Sequence, residues 1–354
     1  MQERDYKDIN EVISQYKYVH IIYNDKFCVP FVEFVNEQFD SKEHIFLVQR
    51  LFEYILMPQF DNVIEISELD KMKFDSDNIK KVICHSLYMK GIFRYWVNNV
   101  SVQKKKAFWM IYGGDLYDAP RNAKADMVRS NFRGYISDTD GDCDVVKEKY
   151  KLNNKIYYSA GYSFPIKLEM IDSALKKKKR ENKNIRIQIN HSSAECTLDM
   201  LKELAKFSKE NVKIITALSY GDMQCKDEII RCGLEIFGDK FEYLDEFKKP
   251  EEYAEWVSQN DILILNHNRQ QGLGNSFASL ALGLKLFIKS NVTTYSHFNS
   301  RDIRVFDTFD ISNISFDDLI YYDEEIKYKN MEKVRMFFSN EYLKKCWEPV
   351  FEDD

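Results

Sequence analysis

The first half of the chain alternates short apolar runs with polar loops and helical patterns. The apolar runs predict strands at 18–23, 44–48, 62–66, 81–84, 107–112 and 134–137, and the spacing of apolar residues predicts a helix at 30–39. Continuous apolar runs of this length are typical of strands that are buried on both faces of a parallel sheet. The pattern therefore predicts a doubly wound α/β domain whose functional edge holds Asp25, His85 and Asp115.

The second half repeats this alternation after a change in composition. Residues 171–184 lose apolar periodicity and become basic, which predicts a linker. Beyond it we expect strands at 185–189, 212–217, 241–244, 262–265, 286–289 and 304–306, and helices at 197–207, 225–232 and 251–259. The predicted organisation is an N-terminal Rossmann-like domain at 1–175, a second at 176–325, and a helical tail at 326–354. The tail is amphipathic over 329–352, which would allow it to cross back to the first domain.

The loop after the strand at 262–265 has the composition of an anion site. Residues 266–271 read N-H-N-R-Q-Q, and Gly272-Leu273-Gly274 then precedes a helix that we expect Asn275 or Ser276 to cap. A cation, amide donors and a helix start together favour a phosphate. An ordinary polar connection is the alternative, but Arg269 at the edge where open α/β sheets bind ligands favours a charged ligand.

Composition narrows the class of protein. The chain has 354 residues, a net charge of −6, 44% hydrophobic and 31% charged residues, which is typical of a globular protein and argues against general nucleic-acid binding. Neither a membrane-spanning run nor a signal peptide is expected. The seven cysteines form no C-x-x-C pair, so we expect neither a disulfide framework nor a zinc site. We therefore expect a cytoplasmic protein.

Two doubly wound domains in tandem, the second with an anion site, describe the GT-B architecture, in which two Rossmann-like domains face a cleft. Segments 108–117 (FWMIYGGDLY), 212–221 (VKIITALSYG), 233–237 (GLEIF) and 268–274 (NRQQGLG) also resemble a bacterial family. It is the TDP-N-acetylfucosamine:lipid II N-acetylfucosaminyltransferase family, which moves 4-acetamido-4,6-dideoxygalactose from a thymidine-diphosphate sugar during enterobacterial common antigen synthesis. The resemblance implies a metal-independent glycosyltransferase with a polyprenyl-diphosphate-linked saccharide as acceptor and no cofactor.

The resemblance also implies which residues bind the donor. Those that match the family's motifs or line the same pocket are Asn190, Ser192, Tyr220, Arg269, Gln270, Gln271, Gly272, Gly274 and Asn275. The chain departs from the family at 294–298 and 140–142, which leaves the exact sugar and acceptor open.

Asp115 and His85 are the candidate catalytic residues of the first domain. A base must take the proton of the acceptor hydroxyl, and a carboxylate or an imidazole can do so. We expect Gly113-Gly114 to present Asp115 at the cleft, with His85 orienting the acceptor. Asp25 is the next candidate base, because it too follows a strand of the first domain. A helix cap is the structural alternative for Asp115, and a packing role is the alternative for His85.

Three further hypotheses remain open at this stage. Asp138 and Asp140 form a D-x-D pattern that would hold manganese in another glycosyltransferase fold, although turn chemistry explains the same loop. The basic runs at 104–106 and 176–180 are solvated faces or contacts with the anionic inner face of the cytoplasmic membrane. A non-catalytic nucleotide-sugar or saccharide binding protein is the alternative to an enzyme.

Overall fold

The computed structural model describes residues 6–53, 55–118, 122–162, 164–178, 184–191, 193–219 and 223–353. The chain forms two compact units. The first contains Met1–Pro165 and Ser339–Asp354, and the second contains Ile166–Phe338.

The first unit is built on a seven-stranded, fully parallel sheet with the order β3-β2-β1-β4-β5-β6-β7. Its strands are β1 Tyr18–Tyr23, β2 His44–Gln49, β3 Val63–Ile66, β4 Lys81–His85, β5 Ala107–Ile111, β6 Gly134–Ser137 and β7 Ile156–Ser159. The six predicted strands are confirmed, and every residue of β1, β2, β4, β5 and β6 is buried. The sequence did not predict β7, because this edge strand is only partly buried and lacks a continuous apolar run.

Eight helices of the described chain cover this sheet: α1 Tyr6–Ile13, α2 Cys28–Gln38, α3 Ile92–Asn98, α4 Val100–Lys106, α5 Gly114–Tyr117, α6 Ala123–Ser130, α7 Asp140–Tyr150 and α16 Asn340–Glu352. The last of these comes from the far end of the chain. Trp347 is fully buried and donates its Nε1–H to the carbonyl of Gly161 at 2.8 Å, and Tyr18 donates its hydroxyl to the carbonyl of Phe351. The Lys81 ammonium donates to the carbonyl of Val350 at 2.8 Å, where the helix dipole favours a cation.

The second unit has a six-stranded, fully parallel sheet with the order β10-β9-β8-β11-β12-β13. Its strands are β8 Ile185–Asn190, β9 Val212–Ala217, β10 Phe241–Leu244, β11 Ile262–Leu265, β12 Lys285–Ile288 and β13 Phe306–Asp307, all close to the predicted ranges. Its helices are α8 Leu168–Lys177, α9 Ala194–Leu204, α10 Lys226–Phe237, α11 Pro250–Ser258, α12 Leu273–Ala281, α13 Thr293–Asn299, α14 Phe316–Ile320 and α15 Glu324–Arg335. Two doubly wound α/β units confirm the predicted fold class.

The predicted linker at 171–184 is wrong over its first part. Helix α8 runs through residue 177, and Ile171 and Ala174 are buried on one of its faces. The run of lysines hides this periodicity, because only two helical turns carry apolar residues before the basic end begins. Residues 179–183 lie outside the described part of the chain.

The predicted helical tail consists of two helices, α15 and α16, separated by residues 336–339. Ser339 accepts a hydrogen bond from the backbone N–H of Tyr342 at 3.1 Å and so caps α16. The new helix start at Ser339 coincides with the division between the units, so that α15 belongs to the second unit and α16 to the first.

Within the described residues, no helix has the length and apolar character needed to cross a membrane.

Candidate functional site

The order of strands marks one position in each sheet where the connections diverge. In the first unit β1 lies between β2 and β4, and in the second β8 lies between β9 and β11. Loops that leave such neighbouring strands turn to opposite faces of the sheet, and ligands bind outside the carboxyl ends at this point. The candidate residues Asp25 and His85 flank this position in the first unit, and Asn190 and Arg269 flank it in the second.

Helix α12 begins directly at this position in the second unit. Gly272 has φ +74°, and a Cβ there would lie 3.0 Å from Leu265 Cδ2 and 3.2 Å from Asn190 Nδ2. Glycine is therefore required both for the left-handed backbone and for the close approach to β8. The helix starts at Leu273, and its first backbone N–H groups have no acceptor within the helix.

The expected cap by Asn275 or Ser276 is wrong, because the turn at Gly272 lets the helix begin before either residue. Asn275 instead donates from Nδ2 to Oδ1 of Asn190 at 3.0 Å, and Ser276 donates its hydroxyl to the carbonyl of Gly272 at 3.1 Å. Asn275 thus ties the end of β8 to the first turn of α12.

His267 makes a second bridge across the same edge. Its Nε2 lies 3.1 Å from the carbonyl oxygen of Asn190, and its Nδ1 lies 3.3 Å from that of Gln271. Burial lowers the pKa of His267 to about 4, so the ring is neutral at pH 7 and one nitrogen carries the proton. The sequence analysis assigned His267 no role beyond the polar loop, although the residue lies two positions after a buried strand.

Three other residues predicted to bind the sugar donor, Arg269, Gln270 and Gly274, lie in the segment 266–274 that follows β11. Arg269 donates from its guanidinium to the carbonyl of Gln270 at 2.8 Å and is partly exposed. Within the described residues, the buried Oε1 of Gln270 has no hydrogen-bond donor. Gly274 is the second residue of α12. The predicted residues Ser192 and Tyr220 lie outside the described part of the chain.

A network of buried polar side chains supports the carboxyl edge of β8 and β11, and the sequence analysis did not predict it. Asn260 donates from Nδ2 to Oε1 of Gln188 at 2.9 Å, and Tyr253 interacts through its hydroxyl with both Gln188 and Asn275. Burial raises the pKa of Tyr253 to about 12, so its hydroxyl keeps its proton. The network holds Asn275, and through it Asn190, in a fixed orientation.

In the first unit, Asn24 organises the loop that follows β2. Its Oδ1 accepts from the backbone N–H of Leu51 at 2.6 Å and of Phe52 at 3.1 Å, and its Nδ2 donates to the carbonyls of Phe52 at 2.6 Å and Ile55 at 3.1 Å. The side chain is fully buried. Asn24 therefore fixes the backbone at the end of β1.

Asp25 follows directly and is partly exposed. Its Oδ1 accepts from the backbone N–H of Phe27 at 2.9 Å and of Cys28 at 3.1 Å, at the start of α2. Burial raises the pKa of the Asp25 carboxyl to about 6, against the lowering effect of these two hydrogen bonds.

Asp115, expected at an open edge, is 1% exposed. Its Oδ2 accepts from the indole of Trp109 at 2.7 Å and the backbone N–H of Leu87 at 3.0 Å, and its Oδ1 accepts from the backbone N–H of Tyr112 at 3.0 Å. Burial raises the pKa of Asp115 although Trp109, Tyr112, Leu87 and the Ser86 hydroxyl all hydrogen-bond to the carboxylate. The side chain joins the loops after β4 and β5, and its catalytic role stays a prediction.

His85 is fully buried at one end of a chain of three histidines. Its Nδ1 lies 2.6 Å from the hydroxyl of Tyr162, its Nε2 lies 3.0 Å from Nδ1 of His20, and Nε2 of His20 lies 3.1 Å from Nδ1 of His44. Burial is the largest cause that lowers the pKa of His85 and of His44 to about 3, and that of His20 well below its usual range. All three rings are therefore neutral, and each carries one N–H group. Both hydrogen bonds between the histidines can form only if every ring donates in the same direction along this network. The sequence predicted His85 as a site residue but not its partners.

The D-x-D loop forms the start of helix α7. Asp140 is the first residue of this helix, and Asp142 is buried and accepts from the hydroxyl of Tyr117 at 2.7 Å. Acidic residues in a first turn interact favourably with the helix dipole. In the parts of the chain that the structure describes, no group of three or more His, Cys, Asp or Glu side chains is arranged to hold a metal ion.

Solved structures of similar fold include several glycosyltransferases. A glycosyltransferase from Rickettsia africae ESF-5 is 11% identical with a TM-score of 0.65, over 96% of this chain and 100% of that one. An α,α-trehalose-phosphate synthase (UDP-forming) from Burkholderia vietnamiensis is 7% identical with a TM-score of 0.63, over 95% and 100% of the two chains. WaaG, a glycosyltransferase involved in lipopolysaccharide biosynthesis, is 10% identical with a TM-score of 0.59, over 95% and 100%.

These similarities show the GT-B fold. No curated protein sequence matches the chain. The sequence profile of the family described as 4-alpha-L-fucosyltransferase, glycosyl transferase group 56, matches residues 52–353, which is most of the chain. The chain therefore belongs to this family of fucosyltransferase-like enzymes and is a glycosyltransferase.

Proposed function

We propose that the enzyme transfers a deoxyamino sugar such as 4-acetamido-4,6-dideoxygalactose from a thymidine-diphosphate donor to a polyprenyl-diphosphate-linked saccharide. The product would be an intermediate of a bacterial surface polysaccharide such as enterobacterial common antigen. The reaction needs neither a metal nor a cofactor in this proposal, because a guanidinium and helix amides offset the charge of the diphosphate.

The observation that carries the proposal is the start of α12 at the carboxyl edge of β8 and β11. Backbone N–H groups of the first turn, the Arg269 guanidinium and the amides of Asn190 and Asn275 lie in one short stretch of this edge. Such a set of donors suits a diphosphate, since the helix dipole and the cation act on the same anion. The structurally similar trehalose-phosphate synthase is UDP-forming, which supports a nucleoside diphosphate as the leaving group.

The thymine base, the deoxyamino sugar and the lipid-linked acceptor rest on the sequence motifs. The exposed side chains of Lys104 and Lys105 support contact with an anionic membrane surface, where each basic residue contributes about 1 kcal/mol. We therefore infer a protein of the cytoplasm that works at the inner face of the cytoplasmic membrane. Sedimentation with anionic vesicles checks this, and a Lys104→Ser/Lys105→Ser variant that sediments like the wild type contradicts it.

Arg269→Ala tests the donor site. Hydrogen bonds to charged groups contribute about 1.5–3 kcal/mol each, so loss of the guanidinium should weaken TDP binding roughly 10- to 100-fold. Isothermal titration calorimetry with TDP measures this effect. Arg231→Ala is the matched control, because this arginine of α10 is 68% exposed and is paired with Glu235 on its own helix. Equal TDP affinity in Arg269→Ala and Arg231→Ala would contradict the proposed site.

The base of the donor is tested separately by thermal shift with TDP, UDP and GDP. A ligand that binds only the folded protein raises its stability by RT ln(1 + [L]/Kd), so the preferred nucleotide gives the largest rise in Tm at equal concentration. We expect TDP to give it. A larger shift with UDP or GDP would replace thymidine in the proposal while leaving the Arg269 site intact.

A further inference from the structure

We propose that Asp25 is the residue that takes the proton of the acceptor hydroxyl during sugar transfer. The proposal rests on the proposed function and assigns one of its steps. The acceptor oxygen forms the new bond to C1 of the sugar, and its proton moves to Oδ2 of Asp25. The bond between C1 and the diphosphate oxygen breaks, and its electron pair leaves with the nucleoside diphosphate.

The position of Asp25 in the sheet supports this assignment. It follows β1, which lies between β2 and β4 at the point where the loops of the first unit diverge. Side chains at the carboxyl ends of these strands face the region where open α/β sheets bind their ligands. The sequence could place Asp25 after a strand, but only the strand order places it at this central position.

The hydrogen bonds of Asp25 leave one carboxylate oxygen available. The backbone N–H groups of Phe27 and Cys28 both donate to Oδ1. Within the described part of the chain, no neighbouring residue donates a hydrogen bond to Oδ2. One oxygen thus holds the side chain in place while the other can receive a proton, which is the arrangement that a general base needs.

The backbone around Asp25 is held in place from both sides. Asn24 makes four hydrogen bonds to the loop at 51–55, and the backbone N–H of Asn24 donates to the carbonyl of Gln49 at 3.1 Å. The backbone N–H of Cys28 donates to the carbonyl of Asp25 at 3.2 Å. A rigid base loses little entropy when it meets the acceptor hydroxyl.

The two other carboxyl-edge candidates are less available. Asp115 and His85 are 1% and 0% exposed, and hydrogen-bond partners occupy both oxygens of the first and both ring nitrogens of the second. A proton could reach either group only after one of these bonds opens. The raised pKa of Asp25, about 6, also matches a base that is ionised at neutral pH yet holds a proton more strongly than an ordinary aspartate.

The test is Asp25→Asn, which separates chemistry from structure. Asparagine forms the same turn as aspartate, since its Oδ1 also accepts from the backbone N–H groups that follow, but it cannot act as a base. We expect TDP affinity to stay within about twofold of the wild type and turnover to fall roughly 10²- to 10⁴-fold. Transfer is measured with a water-soluble short-chain prenyl diphosphate saccharide as acceptor.

The matched control is Asp40→Asn. Asp40 is exposed, precedes β2, and makes an equivalent turn in which its Oδ1 accepts from the backbone N–H of Lys42 at 3.0 Å. Because it lies at the opposite edge of the sheet, we expect near-normal turnover. The pH profile of kcat/KM gives a second measurement. The wild type should lose activity on the acid side with an apparent pKa near 6, and this limb should be absent from the residual activity of Asp25→Asn.

Turnover in Asp25→Asn above half of the wild-type value overturns the inference. So does a collapse of turnover in correctly folded Asp115→Asn together with normal turnover in Asp25→Asn, which would return the role to Asp115. A wild-type enzyme that uses a donor other than a TDP-sugar overturns only the donor part of the proposed function. The turnover of Asp25→Asn is then compared with that of the wild type by using that donor, and the result tests the role of Asp25 in the same way.

Discussion

The three buried histidines of the first unit predict a loss of stability on mild acidification. His44 is 1% exposed, stacks on Tyr18 with ring centroids 4.8 Å apart, and contacts Phe351 edge to face at 4.6 Å. Burial lowers its pKa to about 3, whereas an unfolded histidine has a pKa of about 6.5. Below pH 6.5 the unfolded chain binds a proton that the folded chain excludes, so the free energy of unfolding falls with pH until about pH 3.

The size of the effect follows from the two pKa values. Between pH 7 and pH 5, a single histidine with these values removes about 2 kcal/mol from the free energy of unfolding. Asp25 and Asp115 act in the opposite direction, because their raised pKa values let the folded chain bind protons first. Because the wild type and the variants share these carboxyl groups, comparing them at the same two pH values cancels the contribution of the carboxyl groups to stability.

His44→Asn is the variant that isolates the histidine. An asparagine amide occupies about the position of the imidazole Nδ1, so it can keep the hydrogen bond to His20, which is 3.1 Å long in the native chain. We expect this variant to lose about 2 kcal/mol less than the wild type between pH 7 and pH 5. His44→Phe keeps a ring between Tyr18 and Phe351 but leaves His20 Nε2 without a partner. It should therefore show the same reduced pH dependence and a lower stability at pH 7.

Hydrogen exchange of the segment 44–49 measures the opening free energy of this strand at each pH, after correction for the intrinsic exchange rate. This local measurement is preferred because two units need not unfold in one step. If His44→Asn loses as much stability as the wild type between pH 7 and pH 5, the histidine is not neutral in the folded chain and the reasoning fails.

Substitutions at two other residues, one in each unit, test the packing of the fold. Gly272→Ala should cost about 1–2 kcal/mol of stability and weaken TDP binding, because a Cβ at φ +74° would press on Leu265 and Asn190; thermal unfolding and calorimetry measure both effects, and an unchanged Tm would contradict the strained turn. Trp347→Ala should cost about 3–5 kcal/mol, because the indole is fully buried and bonded to Gly161. Trp347→Phe should recover part of that loss through packing alone, and urea unfolding followed by circular dichroism would contradict the reasoning if both variants matched the wild type.

The strands of both sheets could be predicted because parallel strands buried on both faces carry continuous apolar runs. Helix ends were harder, as α8 and α12 illustrate. In α8 the buried residues Ile171 and Ala174 occupy only two turns before a basic run, and in α12 a positive φ at Gly272 starts the helix earlier than the side chains indicate. The local sequence does not show the backbone dihedral angles of such a turn, so it does not show where the helix begins.

Some residues of the candidate site could be predicted from the sequence and others could not. The loop at 266–274 was recognisable because its donors are contiguous in sequence. The histidine chain was not, since His20, His44 and His85 lie on three strands whose register brings the rings together. The burial of Asp115 also depends on distant partners such as Leu87, so a sequence pattern could not distinguish it from the partly exposed Asp25.

The return of α16 to the first unit has a consequence for biosynthesis. A ribosome completes every residue of the second unit before it makes Trp347 and Phe351, which close one face of the first. Domains that are contiguous in sequence fold in order as they emerge. Here the first unit lacks the aromatic partners that α16 supplies to Phe31 and His44 until that helix is made. The nascent chain therefore presents an apolar surface throughout synthesis of the second unit, and this surface is where a chaperone would bind.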